Sequence, residues 1–272
     1  MSFIAAEHPA EAIGLQRLDM LRALPDLAIA AVAGRDSIAA AVDAARNGGF
    51  SAILPTSVAT GTEYGSADSV LEAVAVLRRL LAGEADVLDP IRIGSPKLWA
   101  AMNGRFAAEI AARWRVCSPC LACHLYVHVA RIPLAWALGN APVITGERDT
   151  HDGRIKLSQT TASIDAETRV LAHAGVELLT PIRSASHAEV ETLVAGWREG
   201  AGGLRCVHSG NYVRTDGTVV FDEDGYSAYL REFFEPVGVA VVDAWREGDA
   251  DPDYEEIVRG VLRGTGLSET GR

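Results

Sequence analysis

Short apolar runs alternate along this chain with longer stretches in which apolar residues return every three or four positions. Over residues 8–23, Ile13, Leu15, Leu18 and Leu21, with Leu24 just beyond, fall on one side of a helix. Residues 27–33 are almost wholly apolar, the pattern of a strand covered on both faces. The Ala-rich stretch 38–46 is a strong helix former, and Asn47, Gly48 and Gly49 end it. A second strand at 51–55 leads into a polar loop, 56–66, and residues 67–82 form another amphipathic helix through Val70, Val74, Leu77 and Leu80. Further along, the pattern predicts strands within 86–94, at 141–145 and at 176–180. It predicts helices over 97–114, 127–139, 164–174 and 186–197. Ser186 with Glu189 has the spacing of a capping box at the last of these.

Strands alternating with helices in this way predict an α/β domain with an open, largely parallel sheet flanked by helices, spanning residues 1–198. Residues 199–272 read as a small C-terminal extension. It has a hairpin signal at Asp216 and Gly217, an aromatic helix through Tyr226, Tyr229, Phe233 and Phe234, and a final apolar strand at 237–242. The aromatic helix suits either the core or a homodimer interface.

The composition, 49% hydrophobic and 22% charged, is that of an ordinary globular protein. No apolar run reads as a bilayer span and the first residues do not read as a signal peptide, so the expected location is cytoplasmic, without membrane partners. A net charge of −11 weighs against a nucleic-acid partner held by many phosphate contacts and toward a small molecule.

Chemistry concentrates in the cysteines. Three of the four, Cys117, Cys120 and Cys123, fall within seven residues, and Cys206 stands alone far downstream. Two-residue gaps are poor for disulfide geometry but let thiolates wrap one ion or cluster. Small buried cysteines without metal are the plainer alternative. A second feature follows the first strand, where Ala33, Gly34, Arg35, Asp36 and Ser37 lead into a helix. Backbone N–H groups and a helix N-terminus there would suit an anion, although a simple capped turn has the same signature. The glycine spacing matches neither a Walker loop nor a dinucleotide fingerprint.

The run Val32-Ala33-Gly34-Arg35-Asp36-Ser37 resembles the pyrophosphate loop of the N-type ATP pyrophosphatases (PP-loop superfamily), whose usual form is Ser-Gly-Gly-Xaa-Asp-Ser. Cys120 and Cys123, a helix ending at Leu138 and Gly139, a strand, the loop Gly146 to Asp149 and a late Cys206 are similar in order to the tRNA 2-thiocytidine and 2-thiouridine synthetase branch. The resemblance spans roughly residues 25–210. Here Glu147, Arg148 and Asp149 stand where that branch has a histidine, and zinc-ribbon cysteines are absent.

This resemblance implies an adenine nucleotide alpha hydrolase-like fold and an enzyme that adenylates a carbonyl or amide oxygen with ATP and Mg²⁺, then transfers sulfur. It places ATP on Ala33, Gly34, Arg35, Asp36, Ser37, Thr56 and Gly146. It gives a [4Fe–4S] cluster to Cys120, Cys123 and Cys206, and catalytic roles to Asp36, Cys117 and Arg148. The implied partners are tRNA or a small-molecule acceptor and a sulfur donor such as sulfide or a persulfide carrier. Cys117 fits a fourth ligand, a persulfide carrier or a bystander. Two other readings stay open: a zinc-containing ligase forming an amide, nitrile or C–N bond, and a non-catalytic nucleotide- or metal-binding protein. His124 and His128, four apart on one helical face, read as packing or as partners of the metal ligands.

Overall fold

The computed structural model describes residues 3–66, 68–116, 119–151, 153–197, 204–219, 221–249 and 251–265. Its strands in chain order are β1 (Ile4–Ala5), β2 (Leu27–Ala31), β3 (Ala52–Ala59), β4 (Glu63–Tyr64), β5 (Asp86–Val87), β6 (Ile91–Gly94), β7 (Val143–Ile144), β8 (Leu178–Leu179) and β9 (Arg205–Cys206). The main sheet runs β1-β6-β3-β2-β7-β8, with β5 also pairing on β3. Its ladders are parallel, and in the central one Leu27 lies opposite Ala52 and Ala31 opposite Thr56. The expected α/β fold with an open parallel sheet and flanking helices is therefore present.

Alternation in β2 shows why the strand has almost no polar residue. Leu27 and Ile29 enter one apolar core, whereas Ala28 and Ala30 enter the other. The second core is made largely with the helix Arg35–Gly48, whose Ile38, Ala39, Ala41 and Val42 are buried; small alanines let this helix sit close to the sheet. Gly49 closes it in the left-handed region at φ 76°, a conformation that favours glycine. Ser186 and Glu189 form the expected reciprocal cap on the helix His187–Leu193.

The larger core binds the C-terminal residues to the rest of the fold. Trp114 packs on Tyr229 and Phe233, and its indole N–H donates to Glu232 at 3.1 Å. Residues 237–242, expected as a strand, lie instead in the helix Glu235–Arg246. Their valines suit a strand by propensity, but Val237, Val241 and Val242 are buried at helical spacing, and burial decides. A π turn at Leu230–Phe234 precedes this helix. Pro236, with no N–H to donate, stands just beyond that turn.

Thr56 lies inside β3 rather than at the head of a polar loop. The stretch Pro119–Ala137 is long and apolar enough to cross a membrane by length and composition, contrary to the expectation that no run qualified. It is broken into the helices Pro119–Val129 and Ile132–Ala137, and 67% of its most apolar window is buried inside the fold.

Two glycines test this packing in opposite directions. A Cβ at Gly225 would stand 2.0 Å from the backbone oxygen of Trp114, so Gly225→Ala must push the helix Glu223–Tyr229 off its neighbour. The expected loss is about 1–3 kcal/mol, a fall of roughly 3–10 °C in Tm. Gly260 lies within the helix Tyr254–Gly264 with open space around its Cβ position. Gly260→Ala is expected to stabilise by about 0.5–1 kcal/mol. Thermal unfolding followed by circular dichroism reads both.

Candidate functional site

A cavity of about 800 Å³ opens at the carboxyl edge of the sheet, beside the ends of β2 and β7. This is where the strand order reverses, because β2 continues to β3 on one side and meets β7 on the other. Ligands of open α/β sheets bind at such switch points, since the two diverging loops leave a crevice. Here the loops are almost in contact: a Cβ on Gly146 would lie 2.5 Å from the Ser37 amide nitrogen. Only glycine fits there.

The loop after β2 is folded around Ser37. Its hydroxyl donates to the Gly34 carbonyl at 2.7 Å and accepts from the Ala33 and Gly34 N–H groups, each at 3.0 Å. Ser37 is thus a cap in this structure. Gly34 has extended backbone, and a Cβ there would meet nothing within 4 Å, so the backbone above the helix lies bare toward the cavity. Asp36 accepts from Arg148 and Arg35, both at 3.1 Å. Arg148 is buried behind Asp36 and also donates to the Ala185 carbonyl at 2.9 Å. Asp36 and Arg148, two of the three residues expected in catalysis, therefore form an ion pair that ties the β7 loop to the β2 loop. Thr56, expected on the nucleotide, is buried away from the cavity wall. Its hydroxyl donates to Ala30 and accepts from the Arg131 guanidinium at 2.8 Å.

Cys120, Cys123 and Cys206 line the same cavity. The first two lie one turn apart on the helix Pro119–Val129. Cys206 arrives through a two-residue antiparallel ladder in which Glu63 of β4 lies opposite Cys206 of β9. The Trp99 indole donates to the Cys123 sulfur at 3.4 Å, the His208 N–H to the Cys206 sulfur at 3.4 Å, and Cys120 donates to the His208 carbonyl at 3.3 Å. Burial pushes the Cys123 thiol up to about 12, opposed by the Trp99 indole and reinforced by Cys206 and Cys120. A positive centre among these sulfurs would reverse that, because thiolates form readily beside a metal. The three thiols share the cavity, but the close group of ligand atoms among the described residues is His128, Glu147 and Glu167 rather than these sulfurs. N–H groups aimed at two of the sulfurs are of the kind that tunes an iron–sulfur cluster. Cys117 lies outside the described residues.

The helix carrying these cysteines turns one polar stripe to the cavity: Cys120, Cys123, His124, His128 and, beyond its end, Arg131. Below the stripe lies Glu147, directly after Gly146. Its carboxylate contacts His124 Nδ1 at 3.0 Å and accepts from the Gln159 side chain. Burial opposes its ionisation, but His124 and His128 outweigh this and hold the carboxyl well below its ordinary range. Glu167, from the helix Thr161–His173, is fully buried beside His128, and burial raises its carboxyl well above the usual range. Sequence reasoning missed Glu167. The available signal was a carboxylate on the apolar face of an amphipathic helix, between Ile164 and Leu171.

His151 carries a pH dependence. It is buried near Lys156 and Arg148, and burial first, then those cations, push its imidazole down to about 4. The unfolded state, at about 6.5, binds more protons in between. This contribution to stability is complete above about pH 6.5 and is lost as pH falls through about 4. Tm is expected to fall over that window, and His151→Gln to flatten that part of the profile.

No protein-family model matches the chain. Uncharacterized protein MJ0009 of Methanocaldococcus jannaschii is 33% identical over 244 residues, covering 88% of this chain and 87% of that protein. A span of that length takes in the cysteines, His128, Glu167 and the Cys206 segment wherever it begins. The chain therefore belongs to the family of this archaeal protein.

Proposed function

We propose that the chain is an ATP-dependent enzyme that adenylates a carbonyl or amide oxygen of a small molecule and then exchanges that oxygen for sulfur. One observation carries this reading: the bare backbone after β2 and the three cysteines open on the same cavity. The helix Arg35–Gly48 presents its N-terminus to the cavity, where the helix dipole favours the nucleotide phosphates. The acceptor oxygen attacks the α-phosphorus, the bond to the β-phosphate oxygen breaks, and pyrophosphate leaves. Sulfide then attacks the activated carbon, and AMP departs with the former acceptor oxygen. Cys120, Cys123 and Cys206 would hold a [4Fe–4S] cluster, which when bound supplies an iron position open to sulfide. The Asp36–Arg148 pair holds the two loops at their working distance, and a Mg²⁺ ion bound with the nucleotide would offset the phosphate charge. The net charge of −11 supports a small acceptor over tRNA.

Purified without oxygen, the protein is expected to be brown, with about four irons and matching sulfide per chain. Cys120→Ala, Cys123→Ala and Cys206→Ala should each lose the iron, and Cys117→Ala should keep it. A colourless protein with one zinc overturns the sulfur-transfer reading and favours the zinc ligase. Nucleotide binding has its own test. Gly34→Ala adds a methyl group into open space, so Tm should stay within about 1 °C while the Kd for ATP rises tenfold or more. Unchanged ATP affinity would remove the loop from the site.

A further inference from the structure

His128, Glu147 and Glu167 come from three separate elements and meet behind the cavity floor. Their exposures are 1%, 5% and 0%. One ligand atom from each lies within 4.8 Å of the others. His128 Nε2 is 3.5 Å from a Glu147 oxygen and 3.6 Å from a Glu167 oxygen. Among the described residues, buried side-chain polar atoms without a hydrogen-bond partner gather here: both ring nitrogens of His128, both oxygens of Glu167 and the amide oxygen of Gln159. Buried polar groups are nearly always satisfied, so a concentration of orphans in one place calls for an occupant.

We propose that His128, Glu147 and Glu167 hold one divalent first-row metal ion, of the Mn²⁺ or Zn²⁺ class, at a site distinct from the cysteines. Separations of 3.5 and 3.6 Å leave His128 without a hydrogen bond, but they suit two ligands sharing an ion. Bonds of about 2.1 Å in a tetrahedron put ligand atoms about 3.4 Å apart. One imidazole and two carboxylates form a nitrogen and oxygen set, which such ions accept and which a thiolate-seeking ion does not require. Two positive charges balance two buried carboxylates, which an apolar interior otherwise tolerates only with one of them protonated. His124 and Gln159 grip Glu147 and fix its orientation, the role of groups that support metal ligands. Because His128 and Glu147 line the cavity while Glu167 lies behind them, the remaining coordination position faces the cavity. An acceptor oxygen bound there would be polarised by the ion.

The test uses the full chain after EDTA treatment and desalting, without nucleotide, titrated with Mn²⁺ and read by the loss of the free-ion EPR signal. One Mn²⁺ per chain is expected, with a rise in Tm of about 5 °C or more at saturation. Glu167→Gln and His128→Gln should each weaken binding at least a hundredfold and abolish the metal-dependent rise, while Cys206→Ala leaves both unchanged. Metal-free Glu167→Gln should melt no lower than the wild type, since it removes a buried carboxyl without changing its shape. No binding by the wild type to Mn²⁺, and none to Zn²⁺ read by Tm in the Cys206→Ala chain, overturns the proposal. Full binding retained by both cluster variants, or lost in Cys206→Ala, also overturns it. The wild-type stoichiometry needs no variant to fold, and the absence of ATP keeps the result independent of the adenylation reading.

Discussion

Everything at this cavity depends on how closely the loops after β2 and β7 approach. The space above Gly146 is filled by the Asp36 and Ser37 backbone, and the Arg148–Asp36 pair clamps the same junction from the side. That contact fixes where the helix Arg35–Gly48 points its N-terminus. It also fixes where Glu147, one residue past Gly146, delivers its carboxylate. A methyl group at Gly146 would force the two backbones apart and move the helix terminus and Glu147 together.

The second constraint is the helix Pro119–Val129. The stretch Pro119–Ala137 that it opens is apolar enough for a membrane, yet one stripe of this helix, Cys120, Cys123, His124 and His128, is polar and lines the cavity. The rest of its surface packs into the larger core through Leu121, Ala122, Leu125, Tyr126 and Val129. Burial on that scale, about 1.5–3 kcal/mol for each large apolar side chain, holds the helix rigidly. Rigidity matters because the stripe places thiols, imidazoles and a guanidinium in fixed register along one wall. Arg131 shows the cost: its guanidinium is buried among Thr56 and backbone carbonyls, and burial lowers it to about 10.

Much of the fold was legible in the sequence. The apolar run of β2 required cover on both faces, and both cores exist. The Gly49 stop and the Ser186–Glu189 cap depend on local backbone chemistry and appear where expected. The valines at 237–242 misled because their strand preference is local, whereas their burial on a helix is tertiary. In the site, the cysteines and the loop after β2 were visible as clusters of unusual residues. Thr56 was not legible, since nothing local says that this threonine will lie inside β3 and be sealed under Arg131.

The sequence by itself determined the α/β alternation, the positions of the strand-to-helix turns and the set of thiols available for one site. These follow from periodicity, capping and residue identity within short windows. Only the tertiary structure decided that Cys206 joins Cys120 and Cys123 through a two-residue ladder with β4, and that Glu167 meets His128 and Glu147. Both convergences join residues far apart in the chain, and their partners are chosen by how the sheet and helices pack. No local pattern of charge or hydropathy encodes that choice.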